Sequence, residues 1–247
     1  MGAGGRGTVT APAAPADRPG WGDCLEIFVR PAPVFARNAR AGVGRPLLVL
    51  TLAGLATYYL TLPVVEPAFV GDALRGGADA MARNPELTPG KLAELTRVNL
   101  RFFGLLSLVT TPLLVFGVGL LTWIGGALAG ARLSYGQANV IAAFASFPRL
   151  LQGLALGAQA ALLPEERVTS VAGLATGPAR FLDPATTSPV VLALAQRADL
   201  FVLWITALVA TGLAVVGRIP ASRAALAAVV VFVLGTLPTL ALAALRG

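Results

Sequence analysis

The sequence predicts an all-α fold, a polytopic transmembrane helical bundle with about five membrane spans. Two observations carry this prediction. Of the 247 residues, 56% are hydrophobic and only 13% are charged, and the mean hydropathy is +0.76, which a water-soluble domain of this length cannot hide in one core. The apolar residues also collect into five long segments, and about 20 apolar residues suffice for a helix to cross a bilayer.

The charge pattern points to a membrane and away from several other functions. The chain has eighteen arginines and one lysine against 12 acidic residues, one cysteine and no histidine. Because the arginines flank apolar segments, we expect the lipid bilayer as a partner and no nucleic acid. Without histidine there is no Ser/His pair and no HExxH metal site, so we expect no enzyme and no cofactor. The wealth of Ala, Gly and Arg indicates a GC-rich bacterial genome and a bacterial cytoplasmic membrane.

The N-terminal 45 residues divide into two parts. Residues 1–20 are rich in Gly, Ala and Pro, a composition typical of a disordered tail. Residues 21–45 form a predicted amphipathic interfacial segment. We expect its aromatic side chains in the acyl boundary and its arginines on lipid phosphates; these are Trp21, Phe28, Phe35, Arg30, Arg37 and Arg40. An alternative, compatible with the first, is that the segment packs on the cytoplasmic ends of the spans.

The first two spans are predicted at 46–65 and 102–131. Pro63, Glu66 and Pro67 predict the end of the first helix, and residues 71–99 predict a loop with surface helices, one starting at Thr88-Pro89. The second segment is longer than the bilayer needs, so it must tilt, bend or protrude. Its Gly126 and Gly130 form a GxxxG motif that predicts close helix packing, more readily within the chain than in a homo-oligomer.

The third span, predicted at 138–163, carries the candidate polar site. Asn139, Ser146, Arg149, Gly153 and Gly157 fall on one helical face. The glycines form a second GxxxG motif, which we expect to pack against span two. Pro148 predicts a helix break that opens a polar pocket.

Arg149 lies in the middle of this span, where a charge costs at least ~2.5 to 3.5 kcal/mol. One hypothesis makes Arg149 an anion or head-group contact. The other makes it a structural ion pair, with Asp199 and then Glu66 as expected partners, or a snorkelling side chain.

Spans four and five are predicted at 200–217 and 224–245. The two shortest connections, at Arg132 and at Arg218 to Arg223, contain basic residues and no acids. Because basic residues in short loops stay in the cytoplasm, we expect the N-terminus inside and the C-terminus outside.

Three ordered motifs resemble the YIP family, in its prokaryotic branch. They are Ile27-Phe28-Val29-Arg30-Pro31 before span one, Ser134-Tyr135-Gly136-Gln137-Ala138 at the start of span three, and Asp199-Leu200-Phe201-Val202-Leu203-Trp204 at the start of span four. The resemblance implies a five-helix integral membrane domain with a cytoplasmic N-terminal region. Eukaryotic members of the family act in ER and Golgi traffic and contact Rab-type GTPases. An Asp-Leu-x-Gly-Pro motif is missing before span one, so GTPase binding is not expected here.

Two functional hypotheses remain open at the level of the sequence. The first is a non-enzymatic membrane scaffold or organising protein that acts through the N-terminal region and outer loops, with other membrane or peripheral proteins as partners. The second is a small transporter or channel component that uses the polar face around Arg149. A transporter requires a continuous water-accessible path, whereas a scaffold predicts tight packing through glycine.

Overall fold

The computed structural model describes residues 18–164, 166 and 168–245, and within them it confirms the all-α prediction. The helices are α1 (Asp23–Glu26), α2 (Pro31–Asn38), α3 (Gly44–Gly76), α4 (Ala78–Arg83), α5 (Pro89–Leu128), α6 (Tyr135–Ala145), α7 (Pro148–Leu162), α8 (Pro189–Arg197), α9 (Leu200–Gly217) and α10 (Ala221–Ala244). Among the described residues, five helical units are long and apolar enough to cross a membrane, with α6 and α7 counted together. The disordered tail predicted for residues 1–20 falls almost wholly outside the described residues.

The centre of the bundle is α6, in which every residue from Ala138 to Ala145 is buried. It packs against α5, α9 and α3. Alanine supplies half of this stretch, and small side chains let neighbouring backbones approach closely where no water drives helices together. The large apolar side chains of α5 and α10 point outward instead; Phe102, Leu113, Leu226 and Val229 are all at least half exposed, as expected of a surface that faces lipid.

The first span extends further than predicted. α3 continues through Pro63 and Pro67 to Gly76, whereas the sequence predicted a helix end at these prolines. Each proline removes only one backbone donor, but unwinding in an apolar medium would expose several backbone groups at once, so continuing the helix costs less.

The second span also starts earlier, at Pro89, where the Thr88 side chain caps the helix as predicted. The extended parts of α3 and α5 support each other. The Tyr58 hydroxyl donates to the Leu100 carbonyl at 2.7 Å, and Arg97 pairs with Glu66 at 2.9 Å.

Gly130 caps the end of α5, whereas the GxxxG motif predicted that it packs against a neighbouring helix. This residue lies past the helix, with a φ of +83°, and therefore does not pack within a helix as the GxxxG motif predicted. Its N–H bonds to the Ala127 carbonyl, while the Ala131 N–H bonds to the Gly126 carbonyl. These two bonds form a Schellman cap, which places a left-handed residue at this position. Gly126 does lie in close packing, because a Cβ there would be 2.9 Å from a Leu133 methyl carbon and 3.0 Å from one of Leu213.

Candidate functional site

A break in the third span shapes the site. α6 ends at Ala145 and α7 begins at Pro148, as the proline predicted, since Pro148 has no N–H to continue the α6 hydrogen bonds. The Ser146 hydroxyl donates to the Ala142 carbonyl at 2.7 Å, beside the Ser146 N–H, which bonds to the same carbonyl at 3.1 Å. α6 stays against α5, whereas α7 packs against α3 and α9. A wedge-shaped space therefore opens between α5 and α7.

Gly153 and Gly157 hold α7 close to α3. A Cβ on Gly153 would lie 2.9 Å from Thr57 Cγ2, and one on Gly157 would overlap Thr61. The sequence predicted that these glycines pack against span two, but the partner is span one. The cause is the break, which turns α7 away from α5.

The wedge contains a crevice of about 240 Å³ between α3, α5 and α7. Its lining is mostly apolar, with a few hydroxyl groups from threonine and serine, and Arg149 is its one charged residue. A second cavity of about 150 Å³ lies between α5, α9 and α10 and is also bordered by Arg149. The two cavities share Leu114, Val118 and Arg149. Arg149 thus stands where two apolar spaces meet.

The ion pair expected for Arg149 is not formed. Within the described residues no carboxylate oxygen lies within 4.0 Å of its guanidinium, and the Arg149 side chain borders open space in both cavities. Asp199 instead caps α9, accepting from the Phe201 N–H at 2.8 Å. Asp199 also accepts from Gln152 Nε2 at 3.1 Å and from the Thr176 hydroxyl. The other expected partner, Glu66, pairs with Arg97.

The predicted polar residues therefore fall into separate places. Ser146 and Arg149 share the crevice. Asn139 is buried where α6 packs against Gly119 of α5, and its Oδ1 has no hydrogen-bond partner in the described part of the chain. Asp199 lies at the start of α9 beside Gln152.

The N-terminal hairpin, defined here as residues 21–38, is packed onto the bundle. Phe35 is fully buried and makes an edge contact with Phe144, with ring centroids 6.3 Å apart. Phe28 contacts Phe147 and Trp204 in the same manner, at 6.3 and 5.8 Å. The contacts of these two aromatic residues match the alternative of packing on the spans. Trp21, Arg30 and Arg40 remain exposed.

Charged side chains close this hairpin. Arg37 Nη2 lies 2.6 Å from Asp23 Oδ1 and 2.5 Å from Glu26 Oε2, and Asn38 Nδ2 donates to Asp23 Oδ2 at 2.7 Å. Burial raises the pKa of Asp23, but hydrogen bonds from Asn38, Gly20 and Arg37 outweigh it, and the net pKa is below the ordinary value. The same hydrogen bond to Asp23 stabilises the charged guanidinium and so raises the pKa of Arg37. Arg37 therefore bonds to carboxylates of the chain itself, where the sequence suggested a lipid phosphate.

Sequence reasoning missed this network, although a signal was present. Asp23 and Glu26 are one helical turn apart, and Arg37 with Asn38 follows after Pro31 and Pro33. Two carboxylates, a proline break and a cation on the next helix together predict a closed hairpin.

A comparison with protein-family models places the chain. The model described as the Yip1 domain matches residues 25–242, which is most of the sequence. The chain belongs to the YIP family. This result confirms the family resemblance of the three motifs, and with the five apolar helices it makes the chain an integral membrane protein. Comparisons with curated proteins and with solved structures gave no match. The YIP match begins within α1, so nearly all of the N-terminal hairpin belongs to the family domain.

Proposed function

We propose that this YIP-family protein is a non-enzymatic scaffold of the bacterial cytoplasmic membrane, a member of the prokaryotic branch with its N-terminus in the cytoplasm. The observation that carries the proposal is the N-terminal hairpin. Aromatic packing of Phe28 and Phe35 attaches it to the bundle, and the Asp23–Arg37 network holds its two short helices together. A rigidly attached surface loses little conformational entropy on binding.

The hairpin presents an apolar stripe, which we define as Trp21, Leu25 and Val29. These side chains are 63%, 75% and 77% exposed and follow one another at intervals of four residues, on one face of the helical turns. The opposite face carries Cys24 and Ile27, which are buried in the bundle. An exposed apolar patch on a fixed element marks an interaction site.

Two arginines lie near the stripe and indicate the charge of the partner. The Arg45 guanidinium lies 5.6 Å from the centre of the Trp21 ring, and the Arg30 side chain is 70% exposed. A polar cavity of about 670 Å³ next to α2 is lined by Arg40, Arg132 and Arg218 among others. A membrane or peripheral protein with an acidic rim around an apolar patch complements this surface.

The absence of histidine from the sequence supports a non-enzymatic role. Several carboxylates near the bundle are also engaged in structural bonds. Asp23 closes the hairpin, Glu66 pairs with Arg97, and Asp72 pairs with Arg75 at 2.5 Å. The pKa of the Asp23 carboxyl lies below its ordinary value, so this carboxylate is a weak general base.

The test is in-membrane crosslinking with affinity purification of the full chain and identification of partners by mass spectrometry. The informative variant is Trp21→Ser/Leu25→Ser/Val29→Ser, because a deletion of residues 1–40 would also remove the buried Phe35. The matched control is Leu226→Ser/Val229→Ser/Val233→Ser, which alters three exposed apolar residues of α10. We expect a specific partner that is lost with the first variant and kept with the control. Recovery of bulk lipid alone, or of the same proteins from both variants, would contradict the scaffold proposal, and recovery of the chain itself would indicate a homo-oligomer.

A transporter or channel component is the second candidate, and the crevice at Arg149 is the observation that favours it. Its test is solute flux into liposomes that contain the wild-type protein or Arg149→Gln. Flux that depends on Arg149 would support this candidate.

A further inference from the structure

The crevice between α3, α5 and α7 is elongated. Its α3 wall comes from residues spaced three or four positions apart, which follow one helical face from Leu50 to Phe69, a length of about 28 Å at 1.5 Å per residue. The opposite wall comes from the α7 stretch that ends at Leu156. A long, narrow, apolar space of this kind suits an unbranched acyl chain better than a compact solute.

Arg149 gives this apolar space one point of positive charge. An unpaired guanidinium in an apolar setting is unfavourable, and in the described part of the chain no carboxylate compensates it. The other arginine at the adjoining cavity, Arg197, already donates to the Gly235 carbonyl at 3.0 Å and to Thr239 Oγ1 at 2.8 Å. Arg149 is therefore the group that is available to an added anion.

We propose that this crevice binds a fatty acid, with the carboxylate on Arg149 and the acyl chain along the α3–α7 wall. A planar guanidinium matches a carboxylate through two parallel hydrogen bonds. The Ser146 hydroxyl lies on the same cavity wall, but it already donates its proton to the Ala142 carbonyl. Arg149 therefore supplies the hydrogen-bond donors for the carboxylate. The crevice of about 240 Å³ shares Leu114, Val118 and Arg149 with the neighbouring cavity of about 150 Å³, and the summed volume of the two lies within the ~300–1,000 Å³ range of ligand sites. A scaffold role does not require this site, so either proposal can be wrong without affecting the other.

The first test measures equilibrium binding of palmitate to the full chain in a nonionic detergent. Methyl palmitate serves as the uncharged probe. We expect saturable palmitate binding that weakens about ten-fold or more in Arg149→Gln and for methyl palmitate, since a charge-assisted pair is lost. Arg149→Lys should retain part of the affinity because it keeps the charge but not the fork of donors. Arg83→Gln, an exposed arginine on α4, is the matched control and should bind as the wild type does.

The second test leaves Arg149 in place and fills the crevice. A Cβ on Gly54 would meet only a Leu150 methyl carbon at 3.8 Å, so Gly54→Leu places a side chain into the space without a backbone clash. Gly117→Leu is its control, because nothing lies within 4 Å of a Cβ there. We expect loss of palmitate binding in the first and retention in the second.

A photoactivatable palmitate then locates the site in the wild-type protein, whatever the variants do to folding. We expect crosslinks on crevice residues such as Thr57, Thr61 and Leu114. Equal affinity for palmitate and its methyl ester, full binding by Arg149→Gln, or crosslinks confined to the outer faces of α5 and α10 would each overturn the proposal.

Discussion

At the scale of single residues, aromatic side chains attach the N-terminal hairpin to the spans. Phe28 and Phe35 contact Phe147 and Phe144, and those two rings stack on each other with centroids 5.9 Å apart. Edge and stacked aromatic pairs add stabilisation beyond the area that they bury. A segment that hydropathy alone assigns to the interface therefore becomes part of the core.

Phe35→Ala should destabilise the protein by about 3–5 kcal/mol, because it leaves a cavity beside Phe144. Leu25→Ala, on the exposed stripe, is the control and should change stability little. Thermal and denaturant unfolding in one detergent would measure both. Similar midpoints for Phe35→Ala and wild type would argue against a packed hairpin.

The Asp23 carboxylate should make the stability of the hairpin depend on pH in the acidic range. Its folded pKa lies below the ordinary value of 3.8. The stabilisation is therefore present above pH 3.8 and is lost as the pH falls below that value through the folded pKa. Wild type should lose stability in this window more steeply than Asp23→Asn, which has no carboxylate to protonate.

Unfolding midpoints measured from about pH 2 to about pH 6 would test this dependence, because that range extends below the ordinary carboxyl pKa as well as above it. Asp79→Asn, at an exposed position of α4, should retain the wild-type slope. Parallel pH profiles for wild type and Asp23→Asn would rule out a contribution from Asp23.

At the scale of elements, the break between α6 and α7 decides which helices are neighbours. α6 fills the centre of the bundle, and α7 turns toward α3, where glycines remove the side chains that would keep the two helices apart. The same turn leaves the crevice against α5 with Arg149 on its wall. One proline thus links close packing on one side of α7 to an open space on the other.

Gly153→Ala should destabilise the α3–α7 contact by about 1–3 kcal/mol through overpacking against Thr57. Thr57→Ser removes the methyl carbon that a Cβ on Gly153 would meet at 2.9 Å. The double variant should therefore be more stable than the sum of the single changes predicts. A double-mutant cycle on unfolding free energies measures this coupling, and strict additivity would show that the two residues do not touch.

At the scale of the whole molecule, we expect the five spans to place the two ends of the chain on opposite sides of the membrane. Labelling with a membrane-impermeant maleimide tests this topology. Arg132→Cys, between α5 and α6, should react only from the cytoplasmic side, and Arg180→Cys, between α7 and α8, only from the outside. The native Cys24 is buried, and burial raises the pKa of its thiol, so wild type should label slowly. Labelling of both new cysteines from one side would contradict the topology.

Sequence alone determined the fold class, the family and the number of spans. These follow from hydropathy, from helix caps such as Thr88 and from ordered motifs, which are properties of residues near one another in the chain. The break at Pro148 also belongs here, because the missing N–H of a proline is a local fact.

Only the tertiary structure decided which side chains and which helices contact each other. Arg149 was expected beside Asp199, yet Asp199 caps α9 and contacts Gln152. Gly153 was expected against span two but lies against Thr57 of span one, and Arg37 bonds to Asp23 instead of being left for a lipid phosphate. Each outcome depends on how far α7 turns at its break and on where the hairpin folds back. Each of these side chains has several possible partners. Which partner it contacts depends on distances in space, and these are known only once the helices are packed.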